Sequence, residues 1–407
     1  MRFNLWEDCN RVPLTELLSF VVDNRGKTVP TAPSGHKLIA TNCVTNNTLF
    51  PVYEKIRYLS EETYQTWFRA HPIPGDILFV NKGTPGRVCL VPDPVDFCIA
   101  QDMIALRADE SKIYPKYLFA VLRSREIQQQ IYNTNVGDVI PHFKKQFLNQ
   151  LLIPIPTRSI QESIGDFYYE LSLKAEYNKK INDNLALQMQ TIWDNLFCSE
   201  MESGNRVSLG DYLYIKGRIG WKGLKKEEYL LESPYRIING ESLTINGIDW
   251  SKAGFISENR YNESPEIMLQ IGDILISKDG TIGKVGYIDK LDKPTSVASG
   301  IFVVRNLKPE VVSTIFIYCL LTSSYFKEFI ASRTEGSVIP HLYQKDFVTL
   351  EVPLLSEKQL RCFDDTVTPL FNMYFANQQE NQRLSGVRDA LLPKLMSGEI
   401  DASAVQL

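Results

Sequence analysis

The chain contains one unit of about 200 residues twice, and this restricts its fold more than any other feature. Gly75-Asp76-Ile77-Leu78 returns as Gly272-Asp273-Ile274-Leu275, 197 residues later. Gly83-Thr84-x-Gly86 with Arg87 and Val88 returns at the same distance as Gly280-Thr281-x-Gly283 with Lys284 and Val285. Further on the distance settles at 199: Gly137 with Val139-Ile140-Pro141-His142 becomes Gly336 with Val338-Ile339-Pro340-His341. Val12-x-Leu14 with Leu18 recurs as Val207-x-Leu209 with Leu213. The period excludes a solenoid, whose repeats run roughly 20–50 residues. Two diverged copies of one module are expected to grip two related but different things.

Each copy divides into an irregular α/β part and a long helix. Between Ser159 and Gly204 the only Gly or Pro is Gly165. Leu171, Ala175, Asn178, Asn182, Leu185, Met189, Ile192 and Leu196 step alternately by four and three. The second copy keeps the register with Leu370, Tyr374, Asn377, Asn381, Leu384, Arg388, Leu391 and Leu395. A heptad seam of this length predicts a coiled coil, and two matched seams in one chain predict that they pair with each other. Asparagine in such a seam costs stability but selects register and partner. In the α/β parts, Asp76–Val80 and Arg87–Val91 read as strands around a Gly-containing turn, as do Asp273–Ser277 and Lys284–Ile288. Tyr114–Arg123 and Ser313–Thr322 carry helical spacing, and the short apolar strands Leu151–Ile155 and Thr349–Leu354 lead into the long helices. The predicted segments are 1–155 and 205–353 for the α/β domains, with 156–204 and 354–407 for the helices.

Composition removes several alternatives. At 407 residues the chain exceeds what one core organises. No apolar run reaches the length of a membrane span, and the N-terminus lacks the apolar stretch of a signal peptide. Seven scattered cysteines without a Cys-x-x-Cys pair predict reduced thiols in a cytoplasmic protein and no zinc site. The net charge of −4 is unevenly spread. Residues 1–155 hold 17 Lys+Arg against 15 Asp+Glu and residues 205–353 hold 18 against 18, so the acidity lies in the helical segments. DNA is therefore not excluded as a partner.

The catalytic inventory is poor. Gly26-Lys27-Thr28 imitates the end of a P-loop, but Val21 stands where the first glycine is required. There is no Gly-x-Gly-x-x-Gly, His-Glu-x-x-His, Gly-x-Ser-x-Gly or Asn-Pro-Pro-aromatic motif. The repeat-equivalent His142 and His341 precede short helical stretches and are expected to cap them. No catalytic residue, metal or cofactor is expected in this chain. The binding inventory is richer. The run 216–226 carries Lys216, Arg218, Lys222, Lys225 and Lys226 with three glycines and Trp221. Cations contact phosphates, arginine reads guanine, and glycine lets backbone approach a ligand. The corresponding site in the first copy holds Arg25, Lys27 and Thr28. The Gly-Thr-x-Gly turns add Lys82, Thr84 and Arg87 in one copy and Lys278, Thr281 and Lys284 in the other.

Together these segments resemble the specificity subunit of Type I restriction–modification systems. The resemblance is carried by Gly-Arg-Ile-Gly-Trp-Lys-Gly-Leu at 217–224, Asn-Arg-Gly-Lys-Thr at 24–28, Gly-Asp-Ile-Leu with Gly-Thr-x-Gly, and Gly-x-Val-Ile-Pro-His. Ile-Pro-Ile-Pro at 153–156 entering the Asn-bearing helix completes it, while the second copy departs with Val352-Pro353-Leu354-Leu355. The resemblance implies an α+β protein of two tandem target-recognition domains joined by two long antiparallel coiled-coil helices with pseudo-twofold symmetry. Each domain would read half of a bipartite double-stranded DNA target. The helices would set the gap and dock a pair of methyltransferase subunits, with a restriction subunit beyond. Those partners would carry adenosylmethionine, ATP and the catalytic groups. The alternatives are a diverged standalone methyltransferase or nuclease, and a duplicated protein-interaction scaffold that never touches DNA.

Overall fold

The computed structural model describes residues 4–24, 26–134, 141–201, 206–218, 223–334, 341–353 and 355–402. It divides into two compact units, Met1–Lys180 with Gln378–Leu407 and Ile181–Asn377. The boundary falls inside both long helices, Arg158–Met201 and Glu357–Met396, so each unit owns a segment of each. No helix among the described residues is long and apolar enough to cross a membrane.

The first unit holds a four-stranded antiparallel sheet in the order Leu18–Val22, Met103–Ala108, Ile77–Val80, Val88–Leu90. A three-stranded sheet follows the order Arg57–Leu59, His36–Ile39, Phe97–Ile99, its second pairing parallel. The second unit repeats both orders. Its sheets run Leu213–Gly217, Ile301–Asn306, Ile274–Ser277, Val285–Tyr287 and Gly254–Ile256, Tyr235–Ile238, Thr295–Val297. A strand near each copy's start pairs with the strand entering its long helix: Asn10–Pro13 with Leu152–Ile155, and Arg206–Ser208 with Glu351–Pro353. The duplication is thus one of topology as well as sequence.

Matched polar contacts hold the two copies in the same shape. Asp76 is 1% exposed and accepts Nε and Nη2 of Arg107 at 2.9 and 3.0 Å, with the backbone N–H of Ile73 at 2.9 Å. Asp273, 0% exposed, accepts Nε and Nη2 of Arg305 at 2.6 and 2.7 Å and the N–H of Gln270 at 2.7 Å. A buried carboxylate survives desolvation only when its oxygens are filled this way. Each arginine also lies against a ring on the neighbouring strand, Phe20 at 5.3 Å and Tyr214 at 5.5 Å.

The long helices are antiparallel within each unit. In the first, Arg388 Nη1 donates to Ser172 Oγ at 3.4 Å, and Asn178 Nδ2 donates to Asn381 Oδ1 at 3.0 Å and Glu380 Oε2 at 2.6 Å. In the second, Asn377 Nδ2 donates to Asn182 Oδ1 at 2.9 Å, and Asn182 Nδ2 donates to the Tyr374 carbonyl at 2.9 Å. The asparagines therefore pair crosswise, each with the counterpart of the other's neighbouring layer. Leu185 and Leu395 of the heptad seam are buried, whereas Leu171, Ile192, Leu196, Leu370, Leu384 and Leu391 are half-buried. Where the helices meet the α/β parts, large side chains at and beside the seam are buried. Trp193, Phe197, Phe371 and Phe375 pack with Phe316 and Tyr318 in the second unit, and Tyr168 and Leu392 with Phe119 and Leu122 in the first. The helices thus serve as core elements of the α/β parts as well as partners of each other. Gly165 lies where the first long helix presses on helix Pro115–Leu122, since a Cβ there would stand 2.6 Å from the Tyr117 nitrogen.

Asn178→Leu is expected to lower stability, because it strands the Asn381 amide in a half-buried layer. The double variant Asn178→Leu, Asn381→Leu is expected to recover stability or exceed it, since apolar packing replaces both amides, and to self-associate more. Urea unfolding and sedimentation velocity of both variants check this; equal stability in all three proteins would contradict it.

Candidate nucleic-acid interface

The Gly-Thr-x-Gly turns are shaped by their glycines. Gly83 and Gly86 have φ of 85° and 87°, and Gly280 and Gly283 have 67° and 84°, a region open to glycine and strained for other residues. Each turn is joined to the chain at the histidine of the motif read above as separate. In the first copy Lys82 bridges His142, the Gly83 N–H donates to the Pro141 carbonyl at 3.0 Å, and the Phe143 N–H donates to the Asn81 carbonyl at 2.8 Å. In the second the Leu342 N–H donates to the Lys278 carbonyl at 3.1 Å, and His341 Nδ1 pairs with Asp279. The capping expectation for the histidines is corrected by this. The N-cap positions of the short helices Lys145–Gln150 and Gln344–Val348 are Lys144 and Tyr343, two residues further on. His142 is instead part of a strand-like bridge, and the His341 ring is engaged by a carboxylate.

The basic loops begin at equivalent points beside the three-stranded sheets. Asn24 is 3% exposed, and its Nδ2 donates to the carbonyl of Ile99 at 3.1 Å. Arg218 is 1% exposed, and its Nε donates to the carbonyl of Val297, the counterpart of Ile99, at 3.2 Å. Both loops end on equivalent backbone bridges, the Ala32 N–H to the Tyr58 carbonyl at 2.8 Å and the Leu230 N–H to the Phe255 carbonyl at 2.9 Å. Between those fixed points run residues 25–31 and 219–229, so the second loop is four residues longer. Asp23 pairs with Lys145 just after His142, which ties the root of the first loop to the segment that pairs with the turn. The far end of the second loop is held by Arg260, whose Nε meets Glu228 at 2.9 Å and whose Nη2 donates to the Gly223 carbonyl at 3.1 Å.

The structure sorts the predicted contact residues unevenly. Lys27, Thr28, Lys82, Arg87, Lys225, Lys226 and Thr281 are exposed. Thr84 is half-buried, as are Lys216, Lys278 and Lys284. The Lys278 ammonium stands 5.0 Å from the centre of the Phe302 ring, that of Lys216 lies 5.9 Å from the Tyr214 ring, and Lys284 Nζ donates to the Gly240 carbonyl at 3.1 Å. Arg25, Trp221 and Lys222 lie outside the described residues. Arg218 does not present a guanidinium for direct readout of bases, because the fold has buried it. Desolvation, with Arg260 nearby, lowers its pKa, while Glu263 and Glu266 act in the opposite sense. Asn24 stands in the Asn-Arg-Gly-Lys-Thr run, but its lack of charge gives no sign of a role in the site; the only signal is its place one step before Arg25, matching Arg218 in the second copy.

Near the first loop a three-ring stack joins His36, Tyr64 and His71, with centroid separations of 4.0 and 4.3 Å. His36 Nε2 meets Glu61 Oε2 at 2.6 Å, and in the second copy Tyr235 Oη meets Glu258 Oε1 at 2.7 Å in the same place. Burial lowers the pKa of His71, and His36 adds to the effect, while a backbone bond at Tyr64 opposes it. A depressed folded pKa means that the neutral ring contributes stability above the unfolded value of about 6.5, and that this is lost as pH falls through the folded one. Residue 268, the counterpart of His71, is Met. His71→Met is therefore expected to flatten the fall in thermal midpoint between pH 7.5 and 5, as measured by circular dichroism; an unchanged slope would count against this account.

Two repeats of one α/β topology, each with a glycine turn and each built with a segment of both long helices, define a duplicated α+β protein. The family of the Type I restriction modification DNA specificity domain matches residues 24–187 and 211–362. The chain belongs to this family, whose role is recognition of DNA sequence rather than catalysis. It is 23% identical over 352 residues to the Type I restriction enzyme MjaIX specificity subunit of Methanocaldococcus jannaschii, covering 80% of this chain and 78% of that one. With the HindI specificity subunit of Haemophilus influenzae it shares 20% identity, covering 80% and 86%. In fold it is similar to the S subunit of a Type I restriction–modification system from M. genitalium, with a TM-score of 0.55, 20% identity and coverage of 97% and 98%.

Proposed function

We propose that the chain is the specificity subunit of a Type I restriction–modification complex, in which each repeat reads one half of a bipartite double-stranded DNA target. In this reading residues 1–155 and 205–353 are the target-recognition domains, and residues 156–204 and 354–407 are spacer helices that set the gap and dock two methyltransferase subunits. A restriction subunit joins the full complex. The observation that carries the reading is the divergence of the two loops within a matched frame. Asn24 and Arg218 start them on equivalent carbonyls and equivalent bridges end them, yet their length and sequence differ. One scaffold bearing two different loops suits two different half-sites. Lys27, Lys82 and Arg87 in one copy, and Lys225 and Lys226 in the other, are exposed cations suited to phosphate contacts.

The test is assembly with methyltransferase subunits followed by mapping of methylated adenines in DNA. A bipartite asymmetric motif with a fixed gap is expected. Transplanting residues 25–31 from a relative of different specificity should change one half of that motif alone. Methylation without a bipartite motif, or a change in both halves, would refute the reading.

A further inference from the structure

We propose that Asn24 and Arg218 are positioning residues of the two recognition loops, which set half-site selectivity by holding the loops on the small sheets without touching DNA. The inference rests on the DNA-reading role given above and deepens it. Three observations carry it. Both side chains are buried, and both donate to the carbonyl of the last residue of the parallel strand, Ile99 or Val297. That strand is itself fixed: the Ala100 N–H donates to the Ile39 carbonyl at 3.0 Å and the Ala298 N–H to the Ile238 carbonyl at 2.8 Å. The two residues have unlike chemistry, one neutral and short, the other charged and long. What they have in common is the carbonyl they hold and the loop they precede.

The second observation is a cost without a local return. Among the described residues Arg218 Nη1 has no hydrogen-bond partner, and Nη2 reaches only Ser296 Oγ at 3.5 Å. Asn24 Oδ1 is likewise unsatisfied. A buried polar atom left unpaired destabilises a fold, and such sites persist where geometry serves a function. The third is placement. The exposed cations Lys27, Lys225 and Lys226 follow these anchors within their loops, so each anchor fixes the end of the loop from which those cations are reached, as the backbone bridges fix the other.

The experiment uses the complex assembled with methyltransferase subunits and DNA libraries randomised in one half-site at a time. Arg218→Ala is expected to cut selectivity in the second half-site by about tenfold or more, the scale of one misread base pair, and to leave the first unchanged. Asn24→Ala is expected to do the same to the first half-site only. The dependence of binding on salt should keep its slope in both, because no phosphate contact is lost. Arg218→Asn, which installs the first copy's solution, should retain selectivity. A residue that only maintains the fold would lower the thermal midpoint and the active fraction with base preference intact, and that outcome overturns the proposal. So does a salt slope smaller by about one unit, which identifies a phosphate ligand. If Arg218→Ala fails to assemble, Arg218→Asn and Asn24→Ala decide: lost selectivity in the former or kept selectivity in the latter sinks the idea. Failure of the underlying reading is separate, since the unmodified complex would then show no half-site preference.

Discussion

Asp273→Ala is expected to destabilise the second unit by about 3 kcal/mol, near the lower end of what breaking a buried ion pair costs. The carboxylate is fully buried and fills three donors, two from Arg305 and one from the Gln270 backbone. Its removal leaves the backbone N–H without its acceptor, whereas Arg305 is partly exposed and recovers some hydration. Asp273→Asn keeps one acceptor and should cost less. Asp76→Ala should act likewise on the first unit, where the same three donors are filled. Urea titration followed by circular dichroism measures these losses; a midpoint unmoved by Asp273→Ala would show that the pair contributes nothing net.

The second large effect is expected on DNA. Lys225→Ala with Lys226→Ala removes two exposed cations from the second loop, and if both meet phosphates the slope of log affinity against log salt should shrink by roughly two units. Lys27→Ala should shrink it by roughly one. Base preference should hold in each case, because phosphate contacts position a protein without reading sequence. Filter binding by the assembled complex across a series of salt concentrations separates the cases. Slopes identical to the unmodified protein would remove these lysines from the interface.

Much of the architecture was readable from spacing. The repeat offsets mark equivalent strands, turns and helices, and the four-three alternation from Leu171 to Leu196 marks a helix that the structure runs from Arg158 to Met201. Such signals are local, since a helix or glycine turn imposes its period on neighbours in the chain. The crosswise asparagine pairs were less legible. Heptad position identifies a layer, but which asparagine meets which depends on the direction of the partner helix.

The functional surface was only half legible. Arg218, Lys216, Lys278 and Lys284 look in the sequence like free cations of a binding loop, yet the fold buries the first, sets two over aromatic rings and gives the last to a carbonyl. Asn24 looks inert and holds the root of a loop. By itself the sequence determined that the protein is two copies of one module with paired helices, because duplication and periodicity are written along the chain. Only the tertiary structure decided which cations remain available to a ligand. The exposure of a side chain is set by strands distant in sequence that pack over it, and for Arg218 those strands include Thr295–Val297, some eighty residues away.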